Sequence, residues 1–191
     1  KKQGEILMTE EVLKNFGVDF SFVENSYIIK SDSDYKSPEN VIIEGDWSNI
    51  AFWLTAGILS DTEIICEGLN IKSPQGDKQI CNIIKAFGGN IEIENNTVKT
   101  SNSVTNGVVI DCSDIPDLVP AIAPIAAISK GTTKFINAQR LRLKESDRLF
   151  TVCETLSKLG ADIKETDDGL IVVGKEKLNG GTINSHNDHR I

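Results

Sequence analysis

Three stretches of the chain repeat one arrangement of apolar and polar positions. An amphipathic run ends in a lysine-bearing turn and a glycine; an alternating segment, a polar turn and a second alternating segment follow. The copies are Leu13-Lys-Asn-Phe-Gly17-Val-Asp-Phe, Ile84-Lys-Ala-Phe-Gly88-Gly-Asn-Ile and Leu156-Ser-Lys-Leu-Gly160-Ala-Asp-Ile, with glycines 71 and 72 residues apart. Lysine in a last helical turn suits the negative end of the helix dipole, and glycine suits the left-handed residue beyond the C-cap. The period-2 patterns behind the glycines predict hairpins, such as Ile91-Glu-Ile93 with Val98-Lys-Thr100 and Ile163-Lys164 with Leu170-Ile-Val-Val173. Their turns, Glu24-Asn25-Ser26, Asn95-Asn96 and Asp167-Asp168-Gly169, carry residues that accept tight reversals.

A second landmark keeps the same register. Counting 29 residues on from each glycine reaches Asp46, Asp117 and His189. The first two open strongly apolar runs, Trp47 to Ile58 and Leu118 to Ile128, long enough for buried helices. The unit is therefore expected to be a strand, a buried helix, a strand, an outer helix and a hairpin, a βαβαββ repeat of α/β (α+β) class. One incomplete copy precedes Asp46, two complete copies follow, and a third has begun. Between the first two, the polar stretch Lys30 to Asn40 reads either as a hairpin loop or as a crossing between lobes, and composition favours the loop. Lys1-Lys-Gln-Gly4 carries no element of its own, and His189-Arg190-Ile191 begins one that does not finish, so the chain reads as a fragment.

Twenty cations against twenty-eight acids give a net charge of −8, which argues against general binding to nucleic acid or anionic membrane. No apolar run reaches the ~18 residues of a membrane span, and no signal peptide opens the chain. Cys66, Cys81, Cys112 and Cys153 are irregularly spaced with no CxxC, so reduced, mostly buried thiols and a cytoplasmic location are expected. With two histidines, both near the end, a metal site has little support.

Candidate chemistry gathers at helix starts, where unpaired N–H groups and a partial positive charge favour anions. Asp117, after Ile115-Pro116, reads equally as a helix cap or as a site residue. The densest cluster is Arg140-Leu-Arg142-Leu-Lys144-Glu145-Ser146-Asp147-Arg148, just before an amphipathic helix over Leu149 to Leu159. A solvated helix start laced with ion pairs explains part of it, but each such pair is worth only ~0.3–0.5 kcal/mol. The alternative is a socket for a polyanion, with Arg148 forking onto a carboxylate or phosphate, Lys144 placing a point charge and Glu145 moving a proton. The sequence alone leaves both open. Asn187-Asp188-His189-Arg190 forms a last cluster, with His189 at the repeat position of Asp117. Gly45-Asp46-Trp47-Ser48-Asn49 reads as a helix cap in preference to a backbone cradle for phosphate, Ser73-Pro74-Gln75-Gly76-Asp77 as a turn and helix start, and Trp47, Phe52 and Trp53 as parts of a buried helix in preference to a ligand platform. No GxGxxG, Walker or Ser/His/Asp arrangement occurs.

Lys144-Glu145-Ser146-Asp147-Arg148 followed by Leu149, together with Asn187-Asp188-His189-Arg190, resembles the 5-enolpyruvylshikimate-3-phosphate synthases, enolpyruvyl transferases of the shikimate pathway. Glu44-Gly45-Asp46-x-Ser48, Gln75-Gly76-Asp77 and Ile115-Pro116-Asp117 fit the same family in order and spacing, so the resemblance runs from about Met8 to the end. It implies two lobes, each of three βαβαββ units with helices inside (an inside-out α/β barrel). Residues 1–43 would be the last part of the amino-terminal lobe and 44–191 the carboxy-terminal lobe, with two complete repeats and a truncated third. The hinge would then fall near Val41 to Asp46.

The resemblance also implies transfer of the enolpyruvyl group of phosphoenolpyruvate to the 5-hydroxyl of shikimate 3-phosphate, in aromatic amino acid and chorismate biosynthesis, without metal or organic cofactor. The whole enzyme would be a cytoplasmic monomer. By matching position, Asp117 would bind shikimate hydroxyls and act as base, Glu145 would protonate the methylene carbon, and His189 would line the site. Lys144 would contact shikimate 3-phosphate, and Arg148 and Arg190 would hold phosphoenolpyruvate. Arg140 stands where some members have an Asn contacting shikimate 3-phosphate. The family's serine-rich phosphate site and its outlying Lys and Arg contacts lie outside this sequence, so the segment alone is expected to be inactive. Two other readings are a UDP-N-acetylglucosamine enolpyruvyl transferase and a non-catalytic anion-binding repeat module.

Overall fold

The structure, a computed structural model, describes residues 4–191. Gly4, expected to lie outside any element, opens α1 (Gly4–Asn15), and Lys1 to Gln3 lie outside the described residues. A two-stranded hairpin follows, β1 (Phe20–Val23) and β2 (Ser26–Ile29). Its turn residues Glu24 and Asn25 both have positive φ, as a two-residue loop of this hand requires. Residues 30 to 46 form no helix or strand, which fits a hairpin loop and a crossing between lobes alike.

The first repeat then supplies α2 (Trp47–Leu59), β3 (Ile64–Cys66), α3 (Ile80–Phe87) and the hairpin β4 (Asn90–Glu94) and β5 (Thr97–Ser101). The second supplies β6 (Val109–Asp111), α4 (Val119–Ile128), β7 (Thr132–Ile136), α5 (Arg148–Lys158), and the hairpin β8 (Asp162–Glu165) and β9 (Leu170–Val173). This second copy is the complete βαβαββ unit: β6 runs parallel to β7, and the sheet order is β6-β7-β9-β8. The first copy has only β3-β5-β4. Its expected opening strand is not paired: Ile42 and Ile43 are 94% and 90% exposed. The chain there is drawn elsewhere, because Gly45 N donates to Gly68 O and Glu44 accepts from Ser73 and Gln75.

Both hairpins adopt the expected register, Ile91 against Thr100 and Ile93 against Val98 in one, Ile163 against Val172 in the other. Gly17, Gly88 and Gly160 all take the left-handed conformation that ends the preceding helix. The two apolar runs become inner helices packed against each other, with the sheets outside. α4 is apolar around its whole circumference and is buried from Val119 to Ala127 save at Pro124, which is partly covered. Full burial of a side chain such as Ile122 or Ile125 stabilises by about 1.5–3 kcal/mol. α2 is less enclosed. Trp47 and Leu54 are fully buried, but Trp53, expected inside, is exposed, because it lies with the exposed Asn49 on the side of α2 opposite the buried Ala51 and Thr55. On the covered face, a Cβ at Gly57 would come within 2.2 Å of the Thr100 hydroxyl, so only glycine lets helix and strand approach this closely. The four thiols are free; three are buried, and burial pushes Cys81 up to about 11 and Cys112 to about 12.

Candidate active site

Asp117 sits in a 3-10 turn, Pro116–Leu118, that leads into α4, with the proline at the first position where its missing N–H is no loss. Its side chain makes no capping bond. Instead Oδ1 and Oδ2 lie 3.0 and 3.1 Å from Lys144 Nζ, and Oδ1 accepts from Arg148 Nη1 at 2.8 Å. Of the two local readings, the carboxylate serves the ion network and leaves the helix start alone.

The basic cluster is divided by the fold. Arg140 and Arg142 lie on a 3-10 turn, Gln139–Leu143, pinned by the buried Leu141. The backbone opens to an extended conformation at Lys144, and Asp147 caps α5 by accepting from Phe150 N at 3.2 Å. Arg148, the first residue of α5, is 1% exposed. Its Nε and Nη2 fork onto the two Asp188 oxygens at 2.9 Å each, and Nη2 also donates to Glu145 Oε2 at 2.7 Å. Asp188 is itself buried. Burial alone would raise its pKa, but the Arg148 fork, the Arg190 N–H and the Ser146 hydroxyl outweigh that and hold the carboxyl far below the usual range. A buried pair this fully bonded is strongly destabilised when one member is removed, because the other charge is left unpaired.

A cavity of about 480 Å³ opens beside this network. Asp117, Lys144 and Arg140 lie on one wall, Ser48 and Asp77 on another, and Met8 of α1 closes it. Three of the seven expected site residues thus face the cavity. Arg148 stands behind Asp117. Glu145 and His189 are 51% and 60% exposed, with His189 Nδ1 3.9 Å from Glu145 Oε1. Arg190 joins the cluster through its backbone, donating N–H to Asp188 Oδ1 at 3.0 Å, while its Nη1 is buried without a hydrogen-bond partner among the described residues. All seven are therefore drawn to one end of the inner helices.

Three residues of this region carried no role in the sequence reading. Asp188 anchors Arg148, and by accepting the N–H two residues on it repeats what Asp46 does for Ser48 at 2.8 Å. Aligning the third copy one residue earlier, on the carboxylate instead of His189, would have revealed it. Gln75 accepts from Trp47 N and donates to Glu44 and to Gly45 O, tying the first repeat's helix start together. Asp77 accepts from Ser48 at 2.6 Å. Burial and the neighbouring Asp117 and Asp46 push its pKa up, against the opposing pulls of Ser48 and Arg190. A turn-forming sequence hides both roles, since nothing local tells where a side chain beyond the turn will point. Among the described residues, no helix is long and apolar enough to cross a membrane.

The family model described as EPSP synthase (3-phosphoshikimate 1-carboxyvinyltransferase) matches residues 1–191. A 3-phosphoshikimate 1-carboxyvinyltransferase of Clostridium acetobutylicum is 49% identical over 98% of this chain and 43% of its own. That of Methanocaldococcus jannaschii is 38% identical over 100% of this chain and 44% of its own. The solved EPSP synthase of Acinetobacter baumannii superposes with a TM-score of 0.83 at 27% identity, covering 95% of this chain and 45% of that one. The enolpyruvyl transferase NikO of Streptomyces tendae shares the fold at a TM-score of 0.71 and 18% identity, over 90% of this chain and 40% of its own. The chain spans less than half the length of the curated relatives it matches.

Proposed function

The chain belongs to the EPSP synthase family, and from that premise we propose that, as part of a full-length enzyme, it transfers the enolpyruvyl group of phosphoenolpyruvate to the 5-hydroxyl of shikimate 3-phosphate. The supporting observation is that Asp117, Lys144, Glu145 and Arg148 form one bonded network against a cavity, at the convergence of helix starts that suit anions. Residues 1–43 then belong to the amino-terminal lobe and 44–191 to the carboxy-terminal lobe, and the cavity under α1 lies where the lobes meet. The reading carries with it a cytoplasmic enzyme, monomeric at full length.

In the reaction, Glu145 gives a proton to the methylene carbon of phosphoenolpyruvate, making the adjoining carbon electrophilic. The 5-hydroxyl oxygen attacks that carbon as its proton passes to Asp117. The tetrahedral adduct then expels phosphate, which takes up the proton held by Asp117, and its methyl group returns a proton to Glu145, which restores the vinyl double bond and the starting state of both carboxyls. Lys144 is paired with Asp117 in this structure; a shikimate 3-phosphate phosphoryl group competing for Nζ would release Asp117 to receive the hydroxyl proton. Arg190, whose buried Nη1 has no hydrogen-bond partner among the described residues, is the cation best placed to take the donor's negative charge. Arg148 spends four hydrogen bonds on its own carboxylates, so it reaches phosphoenolpyruvate through its remaining N–H or by giving up Asp117 or Glu145. Arg140 on the cavity wall adds positive potential, and His189 lies within ion-pair range of Glu145.

The test is phosphate release from both substrates by a full-length chain carrying this segment, with Lys144→Ala and Glu145→Ala beside it. Each substitution is expected to lower kcat/KM by at least about 100-fold, Glu145→Ala chiefly through kcat. Turnover unchanged in both variants would refute the assignment of roles.

A further inference from the structure

Lys144, Glu145, Ser146 and Asp147 bridge the 3-10 turn Gln139–Leu143 and α5 without belonging to any helix or strand. Their pose therefore depends on side chains, and Arg142 ties the last of them, Asp147, to a separate element. Arg142 Nη1 donates to Asp147 Oδ2 at 2.9 Å and to Glu165 Oε1 at 3.2 Å. Nη2 donates to Glu165 Oε1 at 3.2 Å and to the Thr166 carbonyl at 2.8 Å, and Nε to the Asp167 carbonyl at 3.3 Å. These contacts occupy all five N–H groups of the guanidinium. Asp147 is the cap of α5, while Glu165, Thr166 and Asp167 form the end of β8 and its turn. That turn is fixed in its own right, since Asp168 accepts from Ala138 N at 2.7 Å and from Asn137 N at 3.2 Å. Arg142 lies off the cavity wall, which takes the residues two before and two after it, Arg140 and Lys144.

We propose that Arg142 is a positioning residue of the transferase, a clamp that joins the β8–β9 turn to the cap of α5 and so holds Lys144 and Glu145 in their working geometry. The proposal rests on the functional reading above for what that geometry does. The carboxylates it binds are one-third or more exposed, so each ion pair adds little to stability. Position is where the clamp acts, because a displacement of about 1 Å in a reacting group can lower a rate about 100-fold. Lysine keeps the charge but offers three donors at one point and cannot span the cap and two carbonyls.

The experiment measures the full-length parent, Arg142→Lys, Glu165→Ala, Lys144→Ala and the double variant Arg142→Lys/Lys144→Ala. Arg142→Lys is expected to lower kcat/KM for shikimate 3-phosphate by about 10- to 100-fold, with KM raised as well as kcat lowered, and to shift Tm by only a few degrees. In the Lys144→Ala background the same change is expected to lower it by a clearly smaller factor, since one of the two groups being positioned is gone and only Glu145 remains. Glu165→Ala, at a half-buried position at the end of β8, repeats the effect at smaller size and carries the test should Arg142→Lys fail to fold. The proposal is overturned if kcat/KM stays within about twofold of the parent, or if the loss is undiminished in the Lys144→Ala background. A parent that turns over neither substrate defeats the functional reading instead. Amide hydrogen exchange then decides the clamp: faster exchange over 144–147 in Arg142→Lys with α4 unchanged supports it, and equal exchange overturns it.

Discussion

The two repeats put opposite charges at corresponding places. Asp77 at the start of the first outer helix region and Arg148 at the start of the second stand 71 residues apart, the spacing that also separates Asp46 from Asp117. In both copies the outer residue reaches across to the inner helix start: Asp77 accepts from Ser48, and Arg148 donates to Asp117. In the first copy the helix start is satisfied from within, by Asp46 on Ser48 N and Gln75 on Trp47 N, with side chains of low net demand. In the second, Pro116 and a 3-10 turn leave Asp117 free of capping, and a cationic pair holds it at the cavity instead. Corresponding helix starts thus close on themselves in one copy and carry an ion network at the cavity in the other, and the difference lies in a handful of side chains. Fold supplies convergence of helix starts, and the residues placed there decide what is done with it.

The sharpest way to break this contrast is to remove the cation of the second copy. Arg148→Met in a full-length chain leaves Asp188 buried without its fork and is expected to destabilise by about 3–5 kcal/mol, read from urea denaturation. A loss below about 1 kcal/mol would show that the network is a surface decoration.

Asp188→Asn should cost less, about 1.5–3 kcal/mol at pH 7, because Arg148 keeps Asp117 and Glu145. Its pH dependence is the more telling part. The folded carboxyl titrates below its unfolded value of about 3.9, so its contribution is complete above about pH 5 and fades as the pH falls below about 4. The gap between parent and variant should therefore narrow on acidification, and a gap constant from pH 7 to pH 3 would contradict the assigned ion pair.

In the first copy, Gln75→Ala is expected to lower stability by about 1 kcal/mol through the lost acceptor for Trp47 N. Asp77→Asn, the smallest effect, should go the other way. Its raised folded pKa means that ionisation works against folding as the pH rises, so a neutral amide stabilises at pH 7 and the gain vanishes below about pH 4, where the parent is protonated too. Destabilisation at pH 7 would place Asp77 among the residues that the fold needs charged.

Much of this architecture was legible from pattern. Three glycines after lysine-bearing turns, two hairpins in register and two strongly apolar runs follow from short-range rules, and the structure has each of them. Three points escaped. Trp53 is apolar yet exposed, because periodicity marks a helix as amphipathic or buried but not which neighbour covers which face. The opening strand of the first copy stays unpaired, because bonds from Gly45 and Glu44 to residues more than twenty positions away decide its path. Asp188 stands one residue before the position that a fixed count from Gly160 reaches, and such an offset in a loop shows only when its carboxylate is aligned with those of Asp46 and Asp117.

The sequence by itself determined the repeat, its helices and hairpins, and the family, since those depend on residue type and spacing along the chain. Only the tertiary structure decided that Asp117 abandons capping, that Arg148 spends its donors on Asp188, Glu145 and Asp117, and that Arg142 turns its back to the cavity. The reason is physical: a charge takes the partners that folding brings within about 3 Å of it, and those partners stand up to forty residues away in the chain.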